Sequence, residues 1–295
     1  GIYKLVMHDA GWSFPMLLEK GKSQIHIPDK HTIFVESGEL QQQINECNHK
    51  LKLLTKEQVA TTQQLQQEKD SIKQQALQEK AKQLEQESNE LVSRYIQANK
   101  NNLAGVFLVW DKMEWVNFQE LERRYQLLDK EMQQTSTGNA IRKEIDRLWH
   151  LKPGVTARNF TMPDTSGNPV TLFDIQAKVK ILDFWASWCI PCRAANKKLL
   201  ALYEKYKSQG LEIISVSVDS NEKLWKQAIR KDGCNWIHLS ELNTGKDALY
   251  RQYKVFRVPA CFLLDEHNRC IAAGANEENF EEMILNILKH SSENL

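Results

Sequence analysis

The sequence predicts two kinds of structure in one chain: an α/β domain in the C-terminal half, and before it an α+β region of a small antiparallel sheet followed by long helices. After residue 153, short strand-like runs alternate with helical runs, as in βαβ units. Before it, strand-like runs stop at residue 36 and an apolar period of three and four residues begins. We therefore expect three regions, 1–36, 37–152 and 153–295.

The first region contains four strand-like runs separated by turn residues. The runs are Ile2–Met7, Phe14–Leu18, Ser23–Ile27 and Thr32–Glu36. A sheet of this size cannot bury a core alone, so we expect it to pack on the helices or to be the remnant of a larger β-domain. The chain begins directly in a strand-like run, and no signal peptide is visible in it, so we expect a processed or truncated chain.

The second region begins with a long helical segment. Between Glu39 and Ala98 there is no proline or glycine, and residues that favour helix dominate. Apolar side chains recur on one face, at Leu40, Ile44, Cys47, Leu51 and Leu54 and later at Leu77, Leu84 and Leu91. One interpretation is a long helix whose narrow apolar stripe packs against its own protein. The other is a coiled-coil arm that forms a homodimer through the long helix.

Three shorter helices complete the second region. Their apolar faces are Leu103, Val106, Phe107 and Trp110, then Leu121, Tyr125, Leu128 and Met132, then Ile141, Ile145 and Leu148. Lys152-Pro153-Gly154 ends the last helix and marks the domain boundary.

In the third region we expect six strands and four helices. The strands are near Phe160 and over Val179–Trp185, Leu211–Val218, Trp236–Leu239, Ala260–Leu264 and Arg269–Ala273, and the helices are Arg193–Ser208, Glu222–Lys231, Lys246–Tyr253 and Phe280–Leu288.

The run Trp188-Cys189-Ile190-Pro191-Cys192 between a strand and a helix indicates the chemistry. A cysteine at a helix N-terminus meets unpaired N–H groups and the positive end of the helix dipole, which favour the reactive thiolate. A second cysteine one turn later can attack a mixed disulfide formed at the first. We therefore predict Cys189 as nucleophile and Cys192 as resolving thiol. Their disulfide is the redox centre, and no cofactor is expected.

A CxxC can also be half of a zinc site, but that needs a second Cys/His pair. The other cysteines are Cys47, Cys234, Cys261 and Cys270, which form no such pair, so we expect no metal. We expect these four thiols to be inert, with Cys261 and Cys270 buried in strands as small apolar side chains.

The segment 183–192, with its WCxPC motif, resembles the active site of thioredoxin-fold proteins. More narrowly, residues 154–290 resemble the AhpC/TSA-related TlpA/ResA-like thiol:disulfide oxidoreductases of bacterial envelopes. Gly154–Phe160 matches that family's opening Gly-x-x-Ala-x-x-Phe run, and Val255–Asp265 matches its second signature. The region before it resembles the β-plus-helical region of Bacteroidetes-type envelope proteins. The resemblance implies a thioredoxin fold and an enzyme that acts on protein thiols or disulfides in the periplasm or cell envelope, with an unknown electron donor.

The resemblance also implies residue roles. Pro259 is expected to be cis and to face the two cysteines. Asp183, a carboxylate in an apolar run, is expected to be buried and to take the proton of Cys192; the alternative is that strand alternation points it to solvent. Relatives often have a glutamate where this chain has Ala195, so Asp183 is the only obvious base. The lysine that partners this aspartate in thioredoxin is absent, because Ser215 falls near its place.

The partner protein is expected to bind at an apolar rim around the two cysteines. The expected contacts are Trp188, Ile190, Pro191, Val258 and Pro259, with the Val258 backbone pairing with an extended peptide as an added strand. Trp185 either joins this rim or belongs to the core.

Composition excludes several functions, while two alternatives stay open. The net charge of +1 gives no electrostatic case for nucleic acid or an anionic membrane surface. No apolar run reaches the roughly 18 residues that a membrane span needs. The chain could be a redox-idle interaction protein that uses the helical arm, which the loss of the glutamate at Ala195 permits. A peroxiredoxin-type peroxidase is less favoured, because no Pro-x-x-x-Thr/Ser-x-x-Cys run exists.

Overall fold

The computed structural model describes residues 1–7, 12–21, 23–29, 32–68, 70–242, 248–255, 257–273 and 280–293. Phe256 of the second signature and the start of the helix predicted from Lys246 lie outside these residues. The chain divides into two compact units, Gly1–Val116 with Glu120–Glu144 and Asn117–Gln119 with Ile145–Leu295. The finer division into three regions stays a prediction.

Two β-hairpins open the first unit. Strand β1 (Ile2–Met7) pairs antiparallel with β2 (Trp12–Leu17), and β3 (Gln24–Asp29) pairs antiparallel with β4 (Thr32–Glu36). The hairpins form two separate two-stranded sheets, where the sequence suggested one. They pack on helix α1 (Glu39–Gln67), and the side chain of Gln41 accepts a hydrogen bond from the backbone N–H of Leu17 at 2.9 Å.

The long helical segment is two helices, not one. Helix α1 ends at Gln67, and α2 runs from Ser71 to Ala98. They pack antiparallel: Lys50 in the first half of α1 donates a hydrogen bond to the hydroxyl of Tyr95 near the end of α2 at 3.1 Å, and Glu57, later in α1, forms a 2.9 Å ion pair with Lys80, earlier in α2. The carboxylate of Asp70 accepts hydrogen bonds from the N–H groups of Ile72 and Lys73 and so starts the second helix. A narrow apolar stripe is buried most simply by folding the segment back on itself, and Leu84 and Leu91 are buried.

The remaining helices follow the predicted apolar faces. They are α3 (Leu103–Lys112), α4 (Phe118–Gln126), α5 (Lys130–Gln133) and α6 (Ser136–Arg147), with short 3₁₀ turns at Met113–Trp115 and Trp149–Leu151. The four-residue α5 was not predicted, because it is too short to show a period. Among the described residues, no helix combines the length and the apolar character needed to cross a membrane.

The second unit contains a five-stranded sheet in the order β11-β10-β7-β8-β9. Its strands are β7 (Val179–Trp185), β8 (Leu211–Ser217), β9 (Ile237–Leu239), β10 (Ala260–Asp265) and β11 (Cys270–Ala273), preceded by the hairpin β5 (Thr161–Pro163) and β6 (Pro169–Thr171). Strands β7, β8 and β9 are parallel, whereas β10 and β11 run antiparallel to their neighbours. The predicted α/β class is confirmed.

Four helices cover this sheet. They are α7 (Ile190–Tyr206), α8 (Glu222–Asp232), α9 (Leu249–Gln252) and α10 (Phe280–Glu293). Ile181 of the central strand packs in one core with Leu199 of α7 and Ile284 of α10. On the opposite face, the ring of Tyr253 contacts that of Phe184 at a centroid distance of 5.5 Å. Both faces of β7 are therefore buried, which explains why five of its seven residues are apolar.

We expect Asp70→Ala to lower the free energy of unfolding by about 1 kcal/mol, because two N–H groups at the start of α2 lose their acceptor. Urea unfolding followed by circular dichroism measures the change. Glu79→Ala, an exposed change in the interior of α2, is the matched control and should stay within about 0.5 kcal/mol of the parent. An equal, small effect of both substitutions would show that the Asp70 cap does not stabilise helix α2.

Candidate functional site

Cys189 and Cys192 lie where β7 leads into α7. Cys189 is the N-cap residue of the helix, and the backbone N–H of Cys192 donates a hydrogen bond to Cys189 Sγ at 3.2 Å. Pro191 lies in the first turn of the helix, where backbone N–H groups have no intrahelical acceptor, so the N–H that proline lacks costs no hydrogen bond. The two cysteines are joined by a disulfide. Cys189 is 5% exposed and Cys192 is 1% exposed, so Cys189 is the more accessible sulfur.

The segment that leads into β10 forms the other wall of the site. The Val258–Pro259 peptide bond is cis, and the Val258 carbonyl oxygen lies 3.5 Å from Cys189 Sγ. Two segments that are far apart in sequence therefore meet at the same sulfur. Pro259 is exposed and Val258 is half-buried, so this segment reaches the surface beside the disulfide.

Apolar side chains surround the disulfide at the surface. Trp188 is 67% exposed and Ile190 is 82% exposed, although both are large and apolar. Pro191 is exposed beside them. Trp185, by contrast, is fully buried and packs with the two cysteines and with Trp225 of α8, so it belongs to the core.

A buried carboxylate, which the sequence reasoning missed, anchors the loop before Cys189. Asp219 follows β8 and accepts hydrogen bonds from the backbone N–H of Ser187 at 2.8 Å and from its hydroxyl at 2.6 Å. The Ser217 hydroxyl donates to the same carboxylate at 2.7 Å. The sequence does contain a signal for this contact, because Asp219 lies just after β8, the strand that pairs with β7. The loop is thus tied to the carboxyl end of the sheet.

A second missed contact ties the start of α7 to the end of α8. The Arg193 guanidinium donates to both carboxylate oxygens of Asp232 and to the carbonyl oxygen of Ser187. Asn196, next to the buried Ala195, donates to Asp232 at 2.8 Å. Burial raises the pKa of Asp232, but the hydrogen bonds from Arg193 and Asn196 outweigh it and hold that pKa below its usual value.

Asp183 is buried in the centre of the sheet at 1% exposure, so the alternative that it faces solvent is wrong. Its Oδ2 accepts a hydrogen bond from the Ser215 hydroxyl at 2.8 Å, and the thiol of Cys261 donates to its Oδ1 at 3.4 Å. The indole N–H of Trp236 donates to Ser215 Oγ at 2.8 Å. Asp183 points to the same face as Trp185 and lies two residues, about 7 Å, deeper along β7.

The structure buries all four remaining cysteines. Burial raises the pKa of Cys47 to about 11 and that of Cys270 to about 12. Burial and the nearby carboxylates of Asp232 and Asp183 raise the pKa of Cys234 to about 12. These three thiols are protonated at neutral pH and are poor nucleophiles. Cys261 differs because its thiol contacts a carboxylate, which the sequence did not indicate.

Comparison with known proteins agrees with this topology. Residues 153–272 match the AhpC/TSA family. The thiol-disulfide oxidoreductase ResA of Bacillus subtilis is 28% identical over 141 residues, which are 47% of this chain and 77% of that protein. ResA of Geobacillus kaustophilus is 30% identical over 114 residues, 39% of this chain and 64% of that protein.

Solved structures are similar over the same share of the chain. The thioredoxin domain of a thiol-disulfide oxidoreductase from Bacteroides vulgatus is 28% identical, with a TM-score of 0.43 over 47% of this chain and 99% of that one. A thiol-disulfide oxidoreductase from Bacteroides fragilis is 26% identical, with a TM-score of 0.42 over 45% of this chain and 98% of that one. The relatives named thiol-disulfide oxidoreductases support the prediction of a protein-disulfide oxidoreductase. Residues 153–272 match the AhpC/TSA family and lie in a thioredoxin-like domain that is similar to the thiol-disulfide oxidoreductases of the ResA type.

Proposed function

We propose that this chain reduces disulfides of envelope proteins by thiol–disulfide exchange, with Cys189 as the nucleophile and Cys192 as the resolving thiol. The observation that carries the proposal is the position of Cys189 Sγ, which accepts the N–H of Cys192 at the N-terminus of α7 and faces the Val258 carbonyl across the site. The helix end favours a thiolate at Cys189, because its N–H groups and dipole stabilise negative charge.

The exchange has two steps. In the reduced enzyme, the Cys189 thiolate attacks one sulfur of the partner's disulfide, that disulfide breaks, and the departing partner thiolate takes a proton from water. Asp183 then takes the proton of Cys192, and the Cys192 thiolate attacks Cys189 Sγ. The mixed disulfide breaks, the second partner sulfur leaves as a thiolate and takes a proton from water, and Asp183 returns its own proton to water. Cys189 and Cys192 are left joined. A dithiol donor must return two electrons and two protons before the next cycle.

The partner would be held by the apolar rim and by backbone pairing. Exposed Trp188 and Ile190 offer apolar contact area next to the attacking sulfur, together with Pro191. The backbone of Val258 and Pro259 lies on the other side, where an extended peptide can add as a strand. Such contacts suit extended peptides that carry a disulfide, which supports a protein substrate over a small molecule.

The cellular place of the reaction is the periplasm or cell envelope in our proposal. Its support is the resemblance of residues 154–290 to the TlpA/ResA-like proteins of bacterial envelopes. A disulfide persists more readily in such an oxidising compartment than in the cytosol, so disulfide substrates are available there.

We expect Cys192→Ser to accumulate mixed disulfides with its partners through Cys189, because the resolving attack is lost. Non-reducing electrophoresis of a whole-cell extract, followed by mass spectrometry, measures the trapped species. Cys189→Ser is the matched control, since it removes the other thiol of the same pair, and it should trap none. Equal recovery with Cys189→Ser would reverse the roles of the two thiols. Capture of cytosolic proteins alone would contradict the envelope proposal.

We expect Asp183→Asn to slow disulfide reduction near neutral pH by about tenfold or more, because an amide cannot take the proton of Cys192. Turnover of insulin with dithiothreitol measures the rate, with Cys189→Ser as the blank. The first attack by Cys189 should stay within about twofold of the parent, which separates loss of the base from general damage to the site. An unchanged turnover rate would remove Asp183 from the mechanism.

A further inference from the structure

The strand register places two hydrogen-bond donors on either side of Asp183. Ser215 of β8 is its partner in the parallel pairing, and Cys261 of β10 is its partner in the antiparallel pairing. Because directly paired residues point to the same face of a sheet, both side chains reach the carboxylate. The Ser215 hydroxyl donates to Oδ2 at 2.8 Å and the Cys261 thiol donates to Oδ1 at 3.4 Å, so each oxygen has its own donor.

A hydrogen bond from Trp236 orients the Ser215 hydroxyl so that it donates to the Asp183 carboxylate. Its indole N–H donates to Ser215 Oγ at 2.8 Å, and an indole nitrogen cannot accept. The hydroxyl proton of Ser215 is therefore left for an acceptor on the other side, which is the Asp183 carboxylate. Ser215 is fully buried, so water does not compete for this bond.

Cys261 has a chemical reason to act as a donor as well. It is 2% exposed and lies against a carboxylate, and both conditions favour the neutral thiol over the thiolate. A thiol is a weak donor, so its contribution should be smaller than that of the hydroxyl. Ser215 and Cys261 nevertheless donate hydrogen bonds to both oxygens of the Asp183 carboxylate, which is buried from water.

We propose that Ser215 and Cys261 are positioning residues of the resolving step, whose hydrogen bonds hold Asp183 ionised and oriented to take the proton of Cys192. The inference rests on the proposed role of Asp183 as the base. One proton passes from Cys192 to Asp183, while Ser215 and Cys261 keep theirs. A hydrogen bond to the charged form of a carboxylate favours that form, which opposes the effect of burial.

The groups around Asp183 allow a pH profile to test this role. Cys192 lies on α7, Cys261 on β10, His238 on β9 and Cys234 after α8. Burial lowers the pKa of His238 to about 4, and burial with the charges of Asp232 and Asp183 raises that of Cys234 to about 12. Neither group changes its charge between about pH 5 and 9. The rate of the resolving step should fall as the pH is lowered, and we call this part of the pH profile its acid limb. An acid limb between about pH 5 and 9 therefore reports on the protonation of the base and of the active-site thiols.

The experiment follows the two steps separately with DTNB, an aryl disulfide that releases a coloured thiolate on each attack. Reduced protein is mixed with DTNB in a stopped-flow instrument across the pH range. The first release reports attack by Cys189, and the second reports attack by Cys192 on the mixed disulfide. The variants are Ser215→Ala and Cys261→Ala, with Ser215→Thr and Cys261→Ser restoring a hydroxyl donor at each place. Cys270→Ala, a buried thiol on β11, is the matched control.

We expect the acid limb of the second release to move to higher pH by about one unit in Ser215→Ala and by less in Cys261→Ala. The direction follows because a carboxylate that loses a donor stays protonated to a higher pH and cannot act as a base there. The first release should not change. Ser215→Thr, Cys261→Ser and Cys270→Ala should keep the parent profile. Because the two positions are on different strands, Cys261→Ala carries the test alone if Ser215→Ala does not fold.

An acid limb at the parent position in the folded alanine variants would overturn the positioning role. A limb that moves equally in Cys270→Ala would also overturn it, since any buried change would then have the same effect. Asp183→Asn separates this inference from the proposed function. If Asp183→Asn slows the second release and the alanine variants do not, only the positioning role fails. If Asp183→Asn has no effect, the base itself is wrong and both fail.

Discussion

The hydrogen bond from the backbone N–H of Cys192 to Cys189 Sγ is the interaction on which the site depends, because it fixes the sulfur at the N-terminus of α7. This helix end offers unpaired N–H groups and the positive end of a dipole, both of which stabilise a thiolate. The same turn brings the second sulfur within bonding distance of the first. One helical turn after β7 therefore carries the nucleophile Cys189, the N–H groups that stabilise its thiolate, and the resolving thiol Cys192.

The surrounding fold serves to keep that turn in place. Asp219 binds the loop before Cys189, and Arg193 joins the start of α7 to Asp232 at the end of α8. The Asp219 contact lies at the carboxyl ends of the parallel strands β7 and β8, where loops from neighbouring strands meet. Deeper in the sheet, the register around Asp183 provides donors from both adjacent strands. Rigid elements thus hold the reacting groups, while apolar Trp188 and Ile190 remain exposed.

The sequence predicted what depends on local patterns. The apolar run of β7, the CxxC before a helix and the proline before β10 each carry a signal within a few residues, and the structure brings them together. Contacts across strands carry no such signal, so the burial of Cys261 is predictable from its strand but the contact of its thiol with Asp183 is not. The break between α1 and α2 was not predicted, because no proline or glycine marks it. The break is produced by Asp70, which caps the start of α2, and by the packing of the narrow apolar faces of α1 and α2 against each other.

The most direct test of the central claim is the pH dependence of alkylation of each cysteine in the reduced, folded protein, resolved by peptide mass spectrometry after iodoacetamide treatment. We expect Cys189 to react first, with a midpoint below about 8, because the helix end stabilises its thiolate relative to a free cysteine near 8.5. Cys192 and the buried cysteines should react more slowly. A midpoint for Cys189 at or above about 8.5, or faster alkylation of Cys192, would contradict activation at this helix end.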